Sequence, residues 1–147
     1  MTGEDPGARI FWDTNLFIYL LEDNPEFGQA VTDLRKRMLR RKDRLVTSAM
    51  TVGEILVRPI GLRNHSVVER YRKYFSSPSV TLASFDFAAA EIYAHVRQDR
   101  TVQPADAIQL SCAAAAGVDL FITNDDRLSR KIVPGVRFIS SLDRAPI

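Results

Sequence analysis

Four acidic residues along the chain have the side-chain type and the spacing of a metal-binding site. Two belong to the segment PADAIQLSCAAAAGVDLFITNDDRL, residues 104–128, with Asp106 near its start and Asp125 near its end. Asp13 and Glu54 lie in the first half of the chain. Carboxylate oxygens are the ligands that hard divalent ions such as Mg²⁺ and Mn²⁺ prefer. Joint action of the four requires elements that bring them together.

The composition of residues 104–128 predicts a helix followed by a strand of equal length. A helix from Asp106 to Gly117 rises about 1.5 Å per residue and is therefore roughly 16 Å long. A strand over residues 119–123 covers a similar length at about 3.3 Å per residue. The helix and the returning strand bring Asp106 and Asp125 to one edge of a sheet. In open α/β sheets the carboxyl edge is where ligands bind.

The same reasoning brings Asp13 and Glu54 to that edge. Asp13 directly follows the predicted strand Arg9–Trp12. Glu54 lies about one and a half turns into a helix that follows the predicted strand Arg44–Ser48. Helical side chains lean toward the helix N-terminus, so the long Glu54 side chain reaches back toward the strand end. The four carboxylates converge if their strands are neighbours.

Each acid also has an ordinary structural explanation. Asp106 in a first helical turn complements the helix dipole. Thr51 and Glu54 have the spacing of a capping box, while Asp13 and Asp125 are placed to cap helices. Clustered carboxylates, however, raise one another's pKa, and a fold tolerates four of them poorly without a cation. The set as a whole therefore favours a site for Mg²⁺ or Mn²⁺.

Short apolar runs alternate with helical segments along the whole chain. Strands are predicted at Arg9–Trp12, Arg44–Ser48, 80–83, 119–123 and 136–139. Helices are predicted at 14–22, from Pro25 through the basic residues that follow, and at 49–57, 64–75, 85–98, 104–117 and 126–131. This alternation is typical of an α/β fold whose parallel sheet is covered on both faces.

The composition is that of an ordinary globular protein. The 147 residues are 46% hydrophobic and 26% charged, which predicts one domain with a real core. No apolar run is long enough to cross a bilayer, and the N-terminus lacks the apolar region of an export signal. The single Cys112 fits a reducing compartment. A cytoplasmic protein without membrane association is expected.

A basic run lies at residues 35–44. It has the sequence RKRMLRRKDR, with seven basic residues and one acid, in a chain whose net charge is only +2. A solvated helix face is the favoured interpretation, because most charge runs are of that kind. The alternative is a patch that contacts RNA phosphates through Arg37, Arg40 and Arg41.

Four sequence segments carry a family resemblance. They are IFWDTNLFIYLLE near the start, TSAMTVGEIL in the first half, residues 104–128, and the closing strand VRFIS. In this order they resemble PIN-domain ribonucleases, of the kind found as VapC toxins of bacterial and archaeal toxin–antitoxin pairs. The resemblance implies a single PIN-like domain over residues 1–147, with tails at 1–8 and 141–147. It also implies a five-stranded parallel sheet in the order 3-2-1-4-5.

The resemblance also assigns site residues. The acidic metal site, for Mg²⁺ or Mn²⁺, consists of Asp13, Glu54, Asp106 and Asp125. Three neighbouring positions match polar residues of the family: Thr14, Asn15 and Thr123. Asp126 is a further possible ligand, although the T-x-D spacing favours Asp125.

The function implied is a metal-dependent endoribonuclease, the toxin of a type II toxin–antitoxin pair. The ion would activate a water and neutralise charge on the scissile phosphate, which leaves a 5′-phosphate and a 3′-hydroxyl. A homodimer and a cognate antitoxin partner are implied as well. Two alternatives stay open from the residues alone: a catalytically silent PIN-fold binding protein, and an aspartate-nucleophile phosphatase of the haloacid dehalogenase type.

Overall fold

Five strands form one parallel sheet in the computed structural model, which describes residues 7–147. The strands are β1 (Arg9–Trp12), β2 (Arg44–Ser48), β3 (Thr81–Ala83), β4 (Leu120–Thr123) and β5 (Phe138–Ser141). Their order is β3-β2-β1-β4-β5, and every neighbouring pair is parallel. The predicted fold class and strand order are confirmed. β1 and β4, which precede Asp13 and Asp125, are neighbours.

Helices cover both faces of this sheet. They are α1 (Thr14–Leu21), α2 (Gly28–Arg41), α3 (Ala49–Gly61), α4 (His65–Phe75), α5 (Phe87–Val96), α6 (Pro104–Ala115) and α7 (Asp126–Ser129). A 3₁₀ turn, Leu142–Arg144, follows β5. Within residues 7–147 no helix combines the length and the apolar character needed to cross a membrane.

The core lies in two layers because successive strand side chains point to opposite faces. Ile10 and Trp12 of β1 pack into a cluster with residues of α1 to α4. Phe11, between them, packs into a second cluster with residues of α5 and α6. There its ring stacks on that of Phe121 from β4, with the ring centroids 4.9 Å apart. The central strands are therefore apolar on both faces, as a covered parallel sheet requires.

Two helix boundaries differ from those predicted. α2 begins at Gly28 rather than Pro25, because the Asn24 side chain accepts the backbone N–H groups of Glu26 and Phe27 and holds a turn there. α3 was predicted to end at residue 57. It continues through Pro59 to Gly61, because a proline there removes only one backbone donor while the helical bonds around it persist. All other bounds lie within two residues of prediction.

The C-terminal segment expected to be a tail is packed against the fold. Leu142 is only 7% exposed and belongs to the same cluster as Trp12, and Ile147 packs against that cluster. Arg37 Nε donates a hydrogen bond to the backbone carbonyl of Ile147 at 3.0 Å. Burial of these apolar side chains explains the difference. Of the expected N-terminal tail, residues 1–6 lie outside the described residues, and the Ala8 N–H donates to Asp43 Oδ1.

Candidate functional site

The four acids occupy the places that the strand ends and helix starts provide. Asp13 directly follows β1 and caps α1, and Asp125 follows β4 and caps α7. Glu54 lies in α3, which begins where β2 ends, and Asp106 lies in the first turn of α6. The carboxyl ends of β1, β2 and β4 therefore direct these elements to one edge of the sheet.

Asp13 is held rigidly at this edge. Its side chain is buried, its Oδ1 accepts the backbone N–H of Thr14, and its Oδ2 accepts the hydroxyl of Thr123, both at 2.8 Å. Burial raises the pKa of Asp13, the two hydrogen bonds oppose that rise, and the negative charge of Asp125 adds to it. The orientation of this carboxylate is thus fixed by Thr14 and Thr123, two residues that the family resemblance assigned to the site.

Thr123 links the acids that follow β1 and β4. Its hydroxyl donates to Asp13 Oδ2 and accepts the backbone N–H of Asp125 at 3.0 Å. Asp125 Oδ1 in turn accepts the N–H groups of Arg127 and Leu128, at 2.9 and 3.4 Å. One oxygen of Asp125 is therefore occupied by capping, and Oδ2 makes no hydrogen bond to any residue in the described range.

Thr14 connects the first acid to the second. Its backbone N–H binds Asp13, and its hydroxyl donates to Glu54 Oε1 at 3.0 Å. Partial desolvation and the charge of Asp13 raise the pKa of the otherwise exposed Glu54, against the effect of the Thr14 hydrogen bond.

The pKa of Asp106 depends on its burial and on the charges of all three other acids. Partial burial raises its pKa, and the charges of Asp13, Asp125 and Glu54 raise it further, to about 6. Arg127 is the opposing positive charge. The charges of the three other proposed ligands therefore all act on Asp106, and their common role as a metal site stays a prediction.

A buried polar network supports the acids, and its central residue, Gln109, was not predicted from the sequence. Gln109 of α6 is only 1% exposed, and its Nε2 donates to the hydroxyls of Thr51, at 2.7 Å, and Thr14, at 3.1 Å. Its Oε1 accepts the hydroxyl of Ser48. The amide nitrogen and the carbonyl oxygen of Gln109 therefore both form hydrogen bonds. These bonds connect α6 to α1 and to the start of α3.

One sequence signal could have identified Gln109. It is a lone amide in the otherwise small and apolar run that follows Asp106, and it lies three residues after that acid. Residues three apart share a helix face, so Gln109 points to the same side of α6 as Asp106. A polar residue on a buried face calls for a partner, and three hydroxyls are the partners it finds.

The capping-box interpretation of Thr51 and Glu54 is wrong. α3 begins at Ala49, with Ser48 as its N-cap, so Thr51 is already inside the helix. Its hydroxyl takes part in the buried network and does not cap the helix. The capping roles of Asp13 and Asp125, by contrast, are observed and coexist with their positions among the acids.

Of the other residues predicted for the site or for RNA contact, two are exposed neighbours of the site and three lie at the other edge of the sheet. Asn15 is exposed and its side chain makes no hydrogen bond to any residue between 7 and 147. Asp126 is exposed on α7. The three arginines of the basic run lie near the end of α2, just before β2 begins, and hence toward the amino edge of the sheet: Arg37, Arg40 and Arg41. The acids lie at the opposite edge.

The acids suit a divalent cation in chemistry and charge. They offer only oxygen donors, the set that Mg²⁺ and Mn²⁺ prefer, and the pKa of Asp106 is raised first by burial and then by repulsion from the other acids, which a cation would relieve. Among the residues described, no three His, Cys, Asp or Glu side chains are already close enough together to hold one ion. The fit is therefore one of donor type and charge, and no coordination geometry is assigned.

Comparison with known proteins agrees with this topology. The structure of this chain resembles that of VapBC2 from Rickettsia felis, with a TM-score of 0.71 and 14% identity over 90% of this chain and 97% of that one. It also resembles FitAcB from Neisseria gonorrhoeae, with a TM-score of 0.67 and 18% identity over 92% and 99% of the two chains. A toxin–antitoxin complex from Klebsiella pneumoniae gives 0.62 and 22% over 86% and 94%. At such identities the likeness shows the fold alone.

The family assignment comes from the sequence. No curated protein sequence matches the chain significantly. The PIN domain family matches residues 10–132, a range that begins in β1, ends beyond α7 and includes all four acids. The chain therefore belongs to the PIN domain family.

Proposed function

We propose that this chain is a Mg²⁺- or Mn²⁺-dependent endoribonuclease that acts as the toxin of a toxin–antitoxin pair in the cytoplasm. The observation that carries the proposal is the placement of four acids at the carboxyl edge of the sheet, where Asp13 and Asp125 follow β1 and β4 and the charges of the other three acids act on Asp106. Membership of the PIN domain family supports hydrolysis of phosphodiester bonds, by analogy with other members.

The acids would hold the ion, and their neighbours would orient them. Asp13, Asp106, Asp125 and Glu54 are the proposed ligands. When bound, a divalent ion supplies Lewis-acid activation of a water and of the scissile phosphate. An ion binds ionised carboxylates, so metal binding should release a proton wherever Asp106 is protonated beforehand. Thr123 and Thr14 keep their acceptors, Asp13 and Glu54, in fixed orientations.

Cleavage of RNA that depends on metal is the direct test. The purified chain should cut mixed single-stranded RNA in the presence of Mg²⁺ or Mn²⁺, and a chelator should abolish cleavage. Products should carry 5′-phosphate and 3′-hydroxyl ends, which end-labelling distinguishes. Cleavage that continues in chelator would refute the mechanism, and a folded chain that binds RNA without cutting it under any metal would instead support a binding protein.

A homodimer and an antitoxin partner are proposed with the toxin role. The structural neighbours include a structure described as a toxin–antitoxin complex. Three large apolar side chains near the end of α3 are exposed: Val57 at 71%, Ile60 at 55% and Leu62 at 68%. Adjacent exposed apolar side chains are typical of surfaces that contact partners.

Self-association is expected in the absence of any antitoxin. Light scattering at micromolar concentration should report about twice the 16.6 kDa mass of the chain. Dilution should shift the measured mass toward the monomer if the interface is reversible. A mass that stays at the monomer value up to high micromolar concentration would contradict the homodimer.

A further inference from the structure

A cleft opens directly beside two of the acids. Its volume is about 440 Å³, and Asp106 and Asp125 are among the residues that line it. Arg127 and Arg130 line it from α7 and the residue that follows. Thr101 and Val102, from the connection between α5 and α6, line it as well. The cleft therefore combines carboxylates with guanidinium groups.

The guanidinium groups of this cleft are open to solvent. Arg130 is exposed, and its side chain makes no hydrogen bond or ion pair with any residue from 7 to 147. The Arg127 side chain is 83% exposed, and its one ion pair joins Nε to Asp125 Oδ1 at 3.7 Å. The terminal nitrogens of both arginines are thus available. A guanidinium with free nitrogens binds phosphate through two parallel hydrogen bonds.

Lys131 has a different role in the cleft. Its Nζ donates to Asp99 Oδ2 at 2.8 Å and to Thr101 Oγ1 at 2.7 Å. These bonds fasten the segment after α7 to the connection between α5 and α6. Lys131 is therefore a structural part of the wall, and the free positive charge comes from the two arginines.

We propose that this cleft binds the phosphate backbone of the substrate strand next to the scissile bond, with Arg127 and Arg130 as phosphate ligands. The inference rests on the proposed nuclease function. The carboxylates attract a phosphate only when a cation is present, whereas the arginines attract one without it. A strand that lies in the cleft meets guanidinium groups directly beside the carboxylates, since Arg127 Nε is 3.7 Å from Asp125 Oδ1.

The basic run at 35–44 is less suited to this task, although it holds more charge. Arg41 Nε pairs with the buried Asp43 carboxylate at 3.1 Å, and Arg37 is bonded to the backbone of Ile147. The run also leads into the amino end of β2, at the edge opposite to the acids. A strand held there would lie far from the carboxylates. The two basic surfaces can therefore be compared within one protein.

The test measures binding of a labelled single-stranded oligoribonucleotide in chelator, so that no cleavage occurs, over a range of salt concentrations. For single strands each phosphate contact contributes about 0.7 to the slope of log K against log salt concentration. Arg130→Gln should reduce the magnitude of the slope by about 0.7, and Arg127→Gln with Arg130→Gln by about 1.4. Arg37→Gln with Arg40→Gln should leave it unchanged.

Melting curves establish that each variant is folded, and the exposed Arg130 side chain has no hydrogen bond or ion pair within residues 7–147 whose loss would destabilise the chain. An unchanged slope in the double cleft variant overturns the proposal, and so does an equal loss in the variant of the basic run. The outcome is independent of catalysis: a chain that never cuts RNA but shows the predicted slopes refutes the nuclease function and keeps the binding cleft. RNA cleavage together with unchanged slopes would support the nuclease function and overturn the binding cleft.

Discussion

Asp106→Asn should nearly abolish RNA cleavage and leave the metal-free protein at least as stable as the wild type. The substitution keeps the shape of the side chain and removes one of four mutually repelling charges. The pKa of Asp106 is raised from 3.8 to about 6, and one pKa unit corresponds to about 1.4 kcal/mol. Because this side chain is partly open to water, screening reduces the relief to about 1–2 kcal/mol. Loss of the helix-dipole interaction offsets about 0.3–1 kcal/mol of it.

The pH dependence of stability follows from the direction of this shift. The folded protein holds the Asp106 proton more tightly than the unfolded chain does. Its contribution to stability therefore falls as the pH rises from about 4 to about 6, and the full penalty remains above that range. The Asp106→Asn protein lacks this decline, so the difference in stability between the two proteins should grow from pH 4 to pH 6 and then level off.

Thermal or urea unfolding at pH 4, 5, 6 and 7, with and without Mg²⁺, measures both effects. Added Mg²⁺ should stabilise the wild type and stabilise Asp106→Asn less, since one ligand is missing. Asp33→Asn makes the same chemical change on an exposed face of α2 and should affect neither activity nor the response to Mg²⁺. An Asp106→Asn protein that melts several degrees lower without metal and still cuts RNA would show that Asp106 merely starts a helix.

Of the substitutions proposed for this protein, Gln109→Leu should cause the largest decrease in the free energy of unfolding. The leucine fills a similar volume but leaves the buried hydroxyls of Ser48, Thr51 and Thr14 without the amide that joins them. A buried polar group that loses its partner costs about 1–3 kcal/mol. Because the hydroxyls can partly rebond to one another, a total loss of about 2–4 kcal/mol is expected. Activity should also fall, since Thr14 then lacks the donor that orients its hydroxyl toward Glu54.

Ser111→Ala is the matched control for this prediction. Ser111 is equally buried in α6, but its hydroxyl donates only to the Ala107 carbonyl of the same helix. Its removal should cost less than about 1 kcal/mol, because no other side chain depends on it. Urea unfolding compares the two variants. Equal losses in both would mean that Gln109 contributes ordinary packing, and full activity in a folded Gln109→Leu protein would separate the network from the acids.

The sequence predicted the fold and the acids for a common physical reason. Alternation of apolar runs with helical segments predicts a covered parallel sheet whose strands end along one edge, and the family resemblance implied the strand order that makes the strands before Asp13 and Asp125 neighbours. Asp13 and Asp125 follow their strands so closely that their placement needed nothing more. Glu54 and Asp106 required only the length and lean of a helix.

The features that were not predicted depend on contacts between residues distant in the sequence, and hydrophobic periodicity carries no information on such contacts. Gln109 meets Thr14 across 95 residues of chain, and no local pattern names that partner. Helix ends were misjudged where a side chain intervened, as Asn24 does before α2. The basic run drew attention through its charge density, whereas the two arginines beside the acids, Arg127 and Arg130, are inconspicuous in the sequence.

The hydrogen bond between Thr123 and Asp13 spans 110 residues, and it has a consequence for the time at which the proposed site forms. Synthesis proceeds from the N-terminus, so β1 and the first acids emerge long before β4, which must pair with β1 to complete the site. Parallel pairing of such distant strands is also slow to form. A growing or truncated chain that ends before β4 therefore holds Asp13 and Glu54 but has no assembled site. If the chain is the proposed toxin, the translating cell is protected from it until folding is complete, and that interval is when an antitoxin can bind first.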